Sequence, residues 1–171
     1  VCETWLDSKV PDSLIVSGTC FKTYRADRAE GVGGGVAILI NKALKSSRVA
    51  LTSLSEILCI DVTSPAFLYR IVLFYRPPQP NLAVMTELCS SISDLRFSAP
   101  LKSRFLLVGD LNAPSIDWRN ESSTSAFELR FVNILHSLNL YQNINQPTRG
   151  GNILDVLLTG KDFKLPSCKV V

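Results

Sequence analysis

The stretch Arg104-Phe-Leu-Leu-Val-Gly-Asp-Leu-Asn112 combines an apolar run with two polar side chains. The run ends at a glycine, which predicts a buried strand. Asp110 and Asn112 lie two residues apart, so on an extended backbone their side chains point to the same side. α/β folds place their chemistry at such strand ends. The alternative is a capped turn before Ala113-Pro114, because Asp and Asn are common turn residues, and these residues alone favour that turn.

The composition is that of one globular domain over residues 1–171. Hydrophobic residues make up 46% and charged residues 19%, which excludes a disordered chain. The longest apolar run, Val36–Ile40, is too short to span a membrane. The first residues include neither a basic region nor an apolar one, so no secretory signal is expected. Because the sequence does not begin with Met, we expect it to be a fragment.

Charge and cysteine content narrow the class of partner. The net charge of +3 is compatible with a polyanionic partner such as nucleic acid. The five cysteines are odd in number, and none are spaced as in a zinc knuckle. We interpret them as small hydrophobic residues of a reducing compartment rather than as a disulfide framework.

Hydrophobic periodicity predicts six strands and two helices. The predicted strands are Cys20–Tyr24, Val36–Ile40, Ile57–Val62, Phe67–Tyr75, Phe105–Val108 and Ile153–Leu158. The predicted helices are Asn81–Leu95 and Ser125–Leu140, and Glu128 completes a capping box with Ser125. His136, the only histidine, lies off the apolar stripe of its helix and is expected to be solvated. The order favours a mixed β-sandwich with helices on its outer faces over a doubly wound parallel sheet.

Several residues are singled out by their position. The glycine-rich stretch Gly31–Val36 precedes a strand, whereas a dinucleotide-binding loop follows one, so we interpret it as a turn that allows close backbone approach. Asp155 lies inside an apolar run, where a carboxylate needs a histidine, an arginine or a metal ion as partner. Tyr75 and Arg76 lie at the rim of a strand, because the following prolines stop the sheet. Taken alone, Glu3 is an ordinary surface acid.

Six motifs occur in an order that resembles one family. They are Glu3-Thr-Trp-Leu6, Gly33-Gly-Gly-Val-Ala-Ile38, Tyr75-Arg-Pro-Pro78, Gly109-Asp-Leu-Asn112, Pro147-Thr-Arg149 and Asn152-Ile-Leu-Asp155. Each motif alone is weak, but the ordered set spans nearly the whole chain and is specific. The sequence resembles the endonuclease domain of non-LTR (LINE-type) retrotransposons, which belongs to the endonuclease/exonuclease/phosphatase superfamily.

The resemblance implies a four-layered α/β-sandwich similar to deoxyribonuclease I, with metal-assisted hydrolysis of a phosphodiester. Glu3 resembles the carboxylate that binds Mg²⁺, with Mn²⁺ as the alternative, and a hard cation with retained waters suits that ligand. Asp110 resembles the acid that orients or deprotonates the attacking water. Asn112 resembles the amide that holds a phosphate oxygen.

The remaining motifs imply further roles. Tyr75 matches the tyrosine beside the scissile phosphate, and Asp155 matches the acid that pairs with a histidine and orients it. Arg76, Thr148 and Arg149 are expected to meet the DNA backbone.

The implied mechanism also predicts a geometry. Glu3 and Asp110 should approach each other across the end of the sheet, because both act on one phosphate. Tyr75, Asn112 and Asp155 should line the same cleft, from which the histidine of the second helix is remote.

The sequence departs from the family's pattern at both ends. The family has an active-site Asn before the glutamate motif, and only two residues precede Glu3 here. The family's Ser-Asp-His motif does not occur in these 171 residues, and His136 does not match it. We therefore expect a domain that is incomplete at its N- and C-termini, in which Asp155 lacks its histidine partner.

The resemblance implies that the intact domain nicks one strand of DNA at an insertion target, leaving a 3′-hydroxyl that primes reverse transcription. Its partners would be DNA and the reverse transcriptase domain of the same polyprotein, with no membrane, in an intracellular location that is nuclear during function. Two alternatives stay open. One is a non-catalytic remnant, and the other is a phosphatase or phosphodiesterase of the same fold, acting on phosphoinositide or sphingomyelin.

One experiment follows from the departures. We expect the 171-residue polypeptide to show little or no Mg²⁺-dependent nicking of supercoiled plasmid, and a polypeptide extended at both ends to show it. The loss of a general acid/base or an orienting group typically costs ~10²–10⁴ in rate. Comparable nicking by the two polypeptides, abolished in both by Asp110→Ala, would contradict this expectation. Equal inactivity of the two, with the extended one folded, would favour a degenerate remnant.

Overall fold

The computed structural model describes residues 1–29, 31–51, 56–161, 163, 165 and 168–170. These residues form three helices and ten strands. The helices are α1 (Asp12–Ile15), α2 (Leu82–Phe97) and α3 (Ala126–Leu138). The strands are β1 (Phe21–Ala26), β2 (Val36–Asn41), β3 (Lys45–Arg48), β4 (Glu56–Thr63), β5 (Leu68–Tyr75), β6 (Arg104–Asp110), β7 (Ile116–Asp117), β8 (Ser122–Ser123), β9 (Leu140–Gln142) and β10 (Asp155–Gly160).

A six-stranded sheet in the order β3-β4-β5-β6-β10-β9 lies at the centre of the molecule. Its pairings are antiparallel except that of β5 with β6. A parallel pair requires a crossover connection, and α2 provides it. β1 pairs with β2 in a separate antiparallel sheet, and β7 pairs with β8 in a short ribbon.

Alternate side chains of the central strands fill two separate cores. On β5, Val72 and Phe74 belong to the core beneath α2 and α3. Leu73 and Tyr75, which point the other way, belong to the core beneath β1 and β2. The fully buried ring of Phe74 lies 6.0 Å from that of Phe131 on α3. Helices therefore cover one face of the central sheet and a two-stranded sheet covers the other, which is an α/β sandwich.

Both long helices begin at a capping side chain. Asn81 Oδ1 accepts hydrogen bonds from two backbone N–H groups of the first turn of α2. Ser125 Oγ accepts from the backbone N–H of Glu128 at 3.4 Å. The reciprocal half of the expected capping box does not form, because the Glu128 carboxylate accepts instead from the backbone N–H of Ser115 at 2.9 Å. Glu128 thus ties α3 to the loop that follows β6.

The six predicted strands and both predicted helices are confirmed, with shifted boundaries. Five short elements were not predicted, namely α1, β3, β7, β8 and β9. β3 has no apolar alternation that could reveal it, because Lys45-Ser-Ser-Arg48 is polar throughout and pairs with β4 through its backbone.

Three of the four layers implied by the resemblance are extensive. They are the layer of α2 and α3, the six-stranded sheet, and the sheet of β1 and β2. On the outer side of the two-stranded sheet, the single-turn helix α1 contacts β1 through an ion pair between Asp12 and Arg25, at 3.0 Å. In the described part of the chain, α1 stands where the fourth layer is expected.

The cysteines differ in burial: Cys59 and Cys89 are buried, Cys2 and Cys168 are half-buried, and Cys20 is exposed. All five carry free thiols. Burial raises the pKa of Cys59 to about 12 and that of Cys89 to about 11, so both stay protonated and pack as small hydrophobic groups. Among the described residues, no helix has the length and apolar character needed to cross a membrane.

Gly109 of β6 lies so close to β5 that a side chain does not fit. A Cβ added there would stand 2.3 Å from the Phe74 carbonyl oxygen and 2.7 Å from its ring. We expect Gly109→Ala to lower the free energy of unfolding by about 1–3 kcal/mol, as overpacking does. Urea titration followed by far-UV circular dichroism measures the change.

Gly18→Ala serves as the control for that experiment. Gly18 has no neighbour within 4 Å and a φ of +69°, so its replacement adds backbone strain without a clash. A Gly109→Ala variant as stable as the parent chain would contradict the steric explanation.

Candidate active site

Four polar side chains form a row across one end of the central sheet. In the strand register, Glu56 lies opposite Tyr75, Tyr75 opposite Asp110, and Asp110 opposite Asp155. Paired positions on neighbouring strands point to the same face of a sheet. All four therefore project toward the side covered by β1 and β2, at the last residues of β5 and β6 and the first residues of β4 and β10.

Glu3 reaches this row from the N-terminal segment. The Tyr75 hydroxyl donates a hydrogen bond to Glu3 Oε1 at 2.6 Å. The segment runs beside the glycine-rich turn, with the Thr4 N–H donating to the Gly35 carbonyl at 3.2 Å. A Cβ at Gly35 would stand 2.6 Å from Thr4 Oγ1, so this approach requires a glycine. The interpretation of these glycines as permitting close backbone approach is thus confirmed.

One cavity of about 400 Å³ brings part of the expected set together, since its lining includes Glu3, Asp110, Arg149 and Asp155. Tyr75 and Asn112, which were expected to line the same cleft as Asp155, are not among the lining residues. They contact it indirectly, Tyr75 through Glu3 and Asn112 through Arg149. Glu3 and Asp110 therefore lie at the same end of the sheet, as expected. His136 does not line this cavity, in agreement with the prediction that it is remote from the cleft.

The Asp110 carboxyl is nearly enclosed, with 3% of the residue exposed. It accepts hydrogen bonds from the Asn112 backbone N–H at 3.1 Å and from Arg149 Nη2 at 3.2 Å. Burial raises the pKa of Asp110, and the negative charge of Asp155 raises it further, while Arg149 opposes both effects. Asp110 is thus a more basic carboxylate than a solvated one.

Tyr75 is held as a neutral phenol. Burial, together with the hydrogen bond to Glu3 and the Glu3 charge, raises the pKa of Tyr75 to about 12, while the Arg28 charge opposes this rise. Its hydroxyl therefore carries a proton at neutral pH and donates it toward the carboxylate side of the cavity.

Asn112 faces the site by a different route from the expected one. β6 ends at Asp110, and Asn112 has a left-handed φ of 50°, so the two are not on one extended backbone. Both still point to Arg149, whose Nη1 donates to Asn112 Oδ1 at 3.4 Å. The Asn112 amide donates to the Arg76 carbonyl at 2.8 Å, which leaves one of its two N–H bonds for a ligand.

The expectation that Arg76 contacts DNA is wrong. Arg76 is 2% exposed, and its Nε donates to the Leu111 carbonyl at 2.6 Å. Its Nη2 donates to the Asn112 carbonyl, and its guanidinium lies 5.1 Å from the centroid of the Phe127 ring. Arg76 is instead an internal clamp that fixes the loop after β6. The prolines after Arg76 predicted a position at the rim of the sheet. Its guanidinium instead turns inward and donates hydrogen bonds to the Leu111 and Asn112 carbonyls.

Thr148 and Arg149 belong to the loop before β10. Thr148 Oγ1 accepts hydrogen bonds from the backbone N–H groups of Leu154 and Asp155, at 3.0 and 3.1 Å. The Thr148 hydroxyl therefore fixes the start of β10, where Asp155 lies. The Arg149 side chain is 58% exposed and extends from the cavity toward solvent.

Sequence reasoning missed an ion pair that flanks Tyr75. Arg28 Nε donates to Glu56 Oε1 at 2.8 Å, and the backbone N–H of Gly35 donates to Glu56 Oε2. The Arg28 guanidinium also lies 5.7 Å from the centroid of the Tyr75 ring. The available signal was Glu56 itself, an acid at the head of a strongly apolar strand, but nothing in the sequence pairs it with Arg28.

His136 is remote from this site and solvated, as predicted. Its side chain is 50% exposed, and Nε2 lies 2.6 Å from Glu121 Oε2. Since the sequence contains no other histidine, a histidine partner for Asp155 is not present in these 171 residues.

The donor set around the cavity fits a hard divalent cation held by few protein ligands. Glu3, Asp110 and Asp155 bring three carboxylates to its lining, and Arg149 is the only basic side chain among the described residues that line it. Burial is the main cause of the raised pKa of Asp110, and the negative charge of Asp155 adds to it. In the described part of the chain, no three His, Cys, Asp or Glu side chains are arranged to hold a metal. Mg²⁺, which is often bound by one or two carboxylates and several waters, is compatible with this geometry.

The fold and a family model together give the class of protein. A mixed α/β sandwich of this kind, with a six-stranded central sheet, is the deoxyribonuclease-I-like fold of the endonuclease/exonuclease/phosphatase superfamily of hydrolytic nucleases. The family model described as endonuclease-reverse transcriptase matches residues 69–171. The chain belongs to that family.

Comparison with solved structures agrees with the fold. The chain is similar to the endonuclease domain of TRAS1, a telomere-specific non-LTR retrotransposon, with 22% identity over 83% of this chain and 68% of that one, and a TM-score of 0.61. An AP endonuclease from Archaeoglobus fulgidus is 14% identical over 94% of this chain and 75% of that one, with a TM-score of 0.63. A 3′-5′ exonuclease from Neisseria meningitidis gives 15% identity over 94% and 75%, with a TM-score of 0.60. No curated protein sequence gives a significant match.

The acid–base behaviour of two aspartates provides a test of the site's electrostatics. Because the pKa of Asp110 is raised, the folded state keeps a proton that the unfolded chain loses, so stability falls as pH rises from 3.8 through the raised pKa. Hydrogen bonds from Asn120 lower the pKa of Asp117. The stability that ionised Asp117 contributes is therefore present above pH 3.8 and is lost as the pH falls through the lowered pKa.

We therefore expect opposite responses from two isosteric variants. Between about pH 2.5 and 7, Asp110→Asn should become more stable relative to the parent chain as pH rises, and Asp117→Asn less stable. Urea midpoints at several pH values measure the difference. A response of the same sign in both variants would refute the assignment of a raised pKa to Asp110.

Proposed function

We propose that this chain is the endonuclease part of a non-LTR retrotransposon protein, hydrolysing a phosphodiester of DNA in a Mg²⁺-dependent reaction. The observation that carries the proposal is the convergence of Glu3, Asp110 and Asp155 on one cavity beside Tyr75. Its membership of the endonuclease-reverse transcriptase family supports the nucleic-acid substrate. The nick would leave a 3′-hydroxyl from which a linked reverse transcriptase starts.

Glu3 is the proposed ligand of the cation. It lines the cavity and its Oε1 is oriented by the Tyr75 hydroxyl, so its carboxylate is held in place before a substrate arrives. When bound, Mg²⁺, or Mn²⁺ in its place, neutralises charge on the phosphoryl group and the leaving oxygen.

Asp110 is the proposed base for the attacking water. Its raised pKa makes it a better proton acceptor than a solvated aspartate, and Arg149 and the Asn112 N–H keep it oriented. The free N–H of the Asn112 amide would donate to a phosphate oxygen. The exposed Arg149 guanidinium would contact the DNA backbone beside it.

Asp155 is proposed to act through a basic partner. A half-buried carboxylate beside the buried Asp110 needs compensation, and His136 is paired with Glu121 elsewhere. We infer that the 171-residue polypeptide alone hydrolyses DNA slowly, because the group that Asp155 would orient is not among its side chains. The alternative function is a non-catalytic remnant.

The test is nicking of supercoiled plasmid by the 171-residue polypeptide with Mg²⁺, followed over long incubations. Slow nicking should be abolished by EDTA and lowered ~10²–10⁴-fold by Asp110→Asn. Asp117→Asn is the matched control, because Asp117 is exposed at the end of β7 and its carboxylate accepts a hydrogen bond from Asn120. Its rate should equal that of the parent chain.

Three outcomes would count against the proposal. Nicking that survives EDTA or Asp110→Asn would come from a contaminant or from another site. A folded polypeptide extended at both ends that binds DNA without nicking it would favour the remnant. Hydrolysis of an inositol phosphate or of sphingomyelin, with DNA left intact, would favour the phosphatase or phosphodiesterase alternative.

A further inference from the structure

Trp5 is a large exposed apolar side chain, two residues along the chain from the cavity-lining Glu3. Two-thirds of it, 66%, is accessible to solvent. The other tryptophan behaves differently: Trp118 is half-buried and its indole N–H donates to the Ile153 carbonyl at 3.1 Å. Exposed single aromatic residues are not unusual. Trp5 differs from an ordinary exposed residue in how its backbone and its ring are held.

The backbone holds Trp5 in a costly conformation. Both Glu3 and Trp5 have positive φ angles, 53° and 55°, which residues with large side chains rarely adopt. The Trp5 N–H donates to the Gly34 carbonyl at 2.9 Å, so the segment is fixed in place. Strain of this kind persists where the surrounding structure fixes it, and it is enriched at functional sites.

The glycine-rich turn supports one side of the indole. A Cβ at Gly33 would stand 3.3–3.6 Å from three atoms of the Trp5 ring, so the ring lies directly against the glycine backbone. Arg28 Nη1 donates to the Val32 carbonyl at 3.0 Å and so fixes this turn. The indole is therefore backed by a fixed surface, while much of its area stays exposed to solvent.

Charge around the cavity decides what could cover the exposed ring. Arg149 offers a partly exposed guanidinium at the cavity, and the chain carries a net charge of +3, both of which suit a polyanion. A nucleic acid strand has phosphates for the cavity and flat apolar bases within reach of it. Adjacent residues of an extended chain are at most ~3.6 Å apart per residue, so Trp5 lies within about 7 Å of Glu3 along the backbone.

We propose that Trp5 is a stacking platform for a nucleobase of the DNA strand whose phosphodiester occupies the cavity. The inference rests on the proposed function and adds a contact to it. Stacking on an aromatic side chain tolerates any base, because every base has a π-face. Trp5 would therefore strengthen binding beside the cleavage site without choosing the target sequence.

Fluorescence of Trp5 itself provides the test. Trp118→Phe leaves Trp5 as the only tryptophan, and a short single-stranded oligonucleotide is titrated into this variant in EDTA, so that binding is measured without catalysis. We expect quenching of the Trp5 emission. Inorganic polyphosphate, which has charge but no bases, should bind without comparable quenching. Equal quenching by the two polyanions would overturn the stacking.

Binding affinities of two ring-deletion variants complete the test. By fluorescence anisotropy of a labelled oligonucleotide, Trp5→Ala should bind about 5- to 100-fold more weakly, and Trp5→Phe should retain most of the affinity. Trp5→Gly removes the ring and also relieves the positive φ, so it should be no less stable than the parent chain and bind as weakly as Trp5→Ala. Unchanged affinity in both ring-deletion variants would refute the platform.

The outcomes separate this inference from the proposed function. Asp110-dependent nicking with unchanged DNA affinity in Trp5→Ala would leave the endonuclease proposal intact and overturn the platform. Absence of both DNA binding and nicking in the parent chain would overturn both. A concentration-dependent dimer that Trp5→Ala dissociates would show that a second copy of the chain covers the ring, and would likewise overturn the platform.

Discussion

The parallel pairing of β5 with β6 is the constraint on which the site depends. Its register sets Tyr75 opposite Asp110 at the point where both strands end, and the Arg76 N–H continues the ladder to the Asp110 carbonyl at 2.9 Å. Parallel neighbours end on the same edge of a sheet, so polar residues at their last positions meet without help from loops. Gly109 permits the close contact with Phe74 that this pairing includes.

Much of this arrangement was readable from the sequence. Asp155 stood out because a carboxylate within an apolar strand needs a partner, and Asp110 because it ends an apolar run. Arg76 was misplaced, because the prolines that stop β5 say nothing about the direction of a long side chain. The pairing of Arg28 with Glu56 was not visible either. It joins residues far apart in sequence through tertiary packing, and each alone has the appearance of a surface charge.

Around the cavity, basic side chains offset part of the charge of the acidic ones. Arg149 moderates the repulsion between Asp110 and Asp155, yet burial still raises the pKa of Asp110. Likewise, the charge of Arg28 opposes the rise in the pKa of Tyr75 that burial and Glu3 cause. A site with more carboxylates than basic groups is poorly compensated until cations or phosphate-bound metal enter it. The internal clamp made by Arg76 keeps these groups in place without adding charge to the cavity itself.

Glu3 lies on the N-terminal segment and not on the central sheet, and this affects how the site is lost when the domain partly unfolds. Tyr75, Asp110 and Asp155 project from the six-stranded sheet, whose helix-side core is large, whereas Glu3 arrives on a segment fastened to β2 and the glycine-rich turn. Sub-global opening that releases only this segment would remove a carboxylate from the site while the main core stays folded. The site is thus complete only while this segment is docked against β2 and the glycine-rich turn. A partly unfolded chain could therefore keep most of its secondary structure and still lack one of the three carboxylates of the cavity.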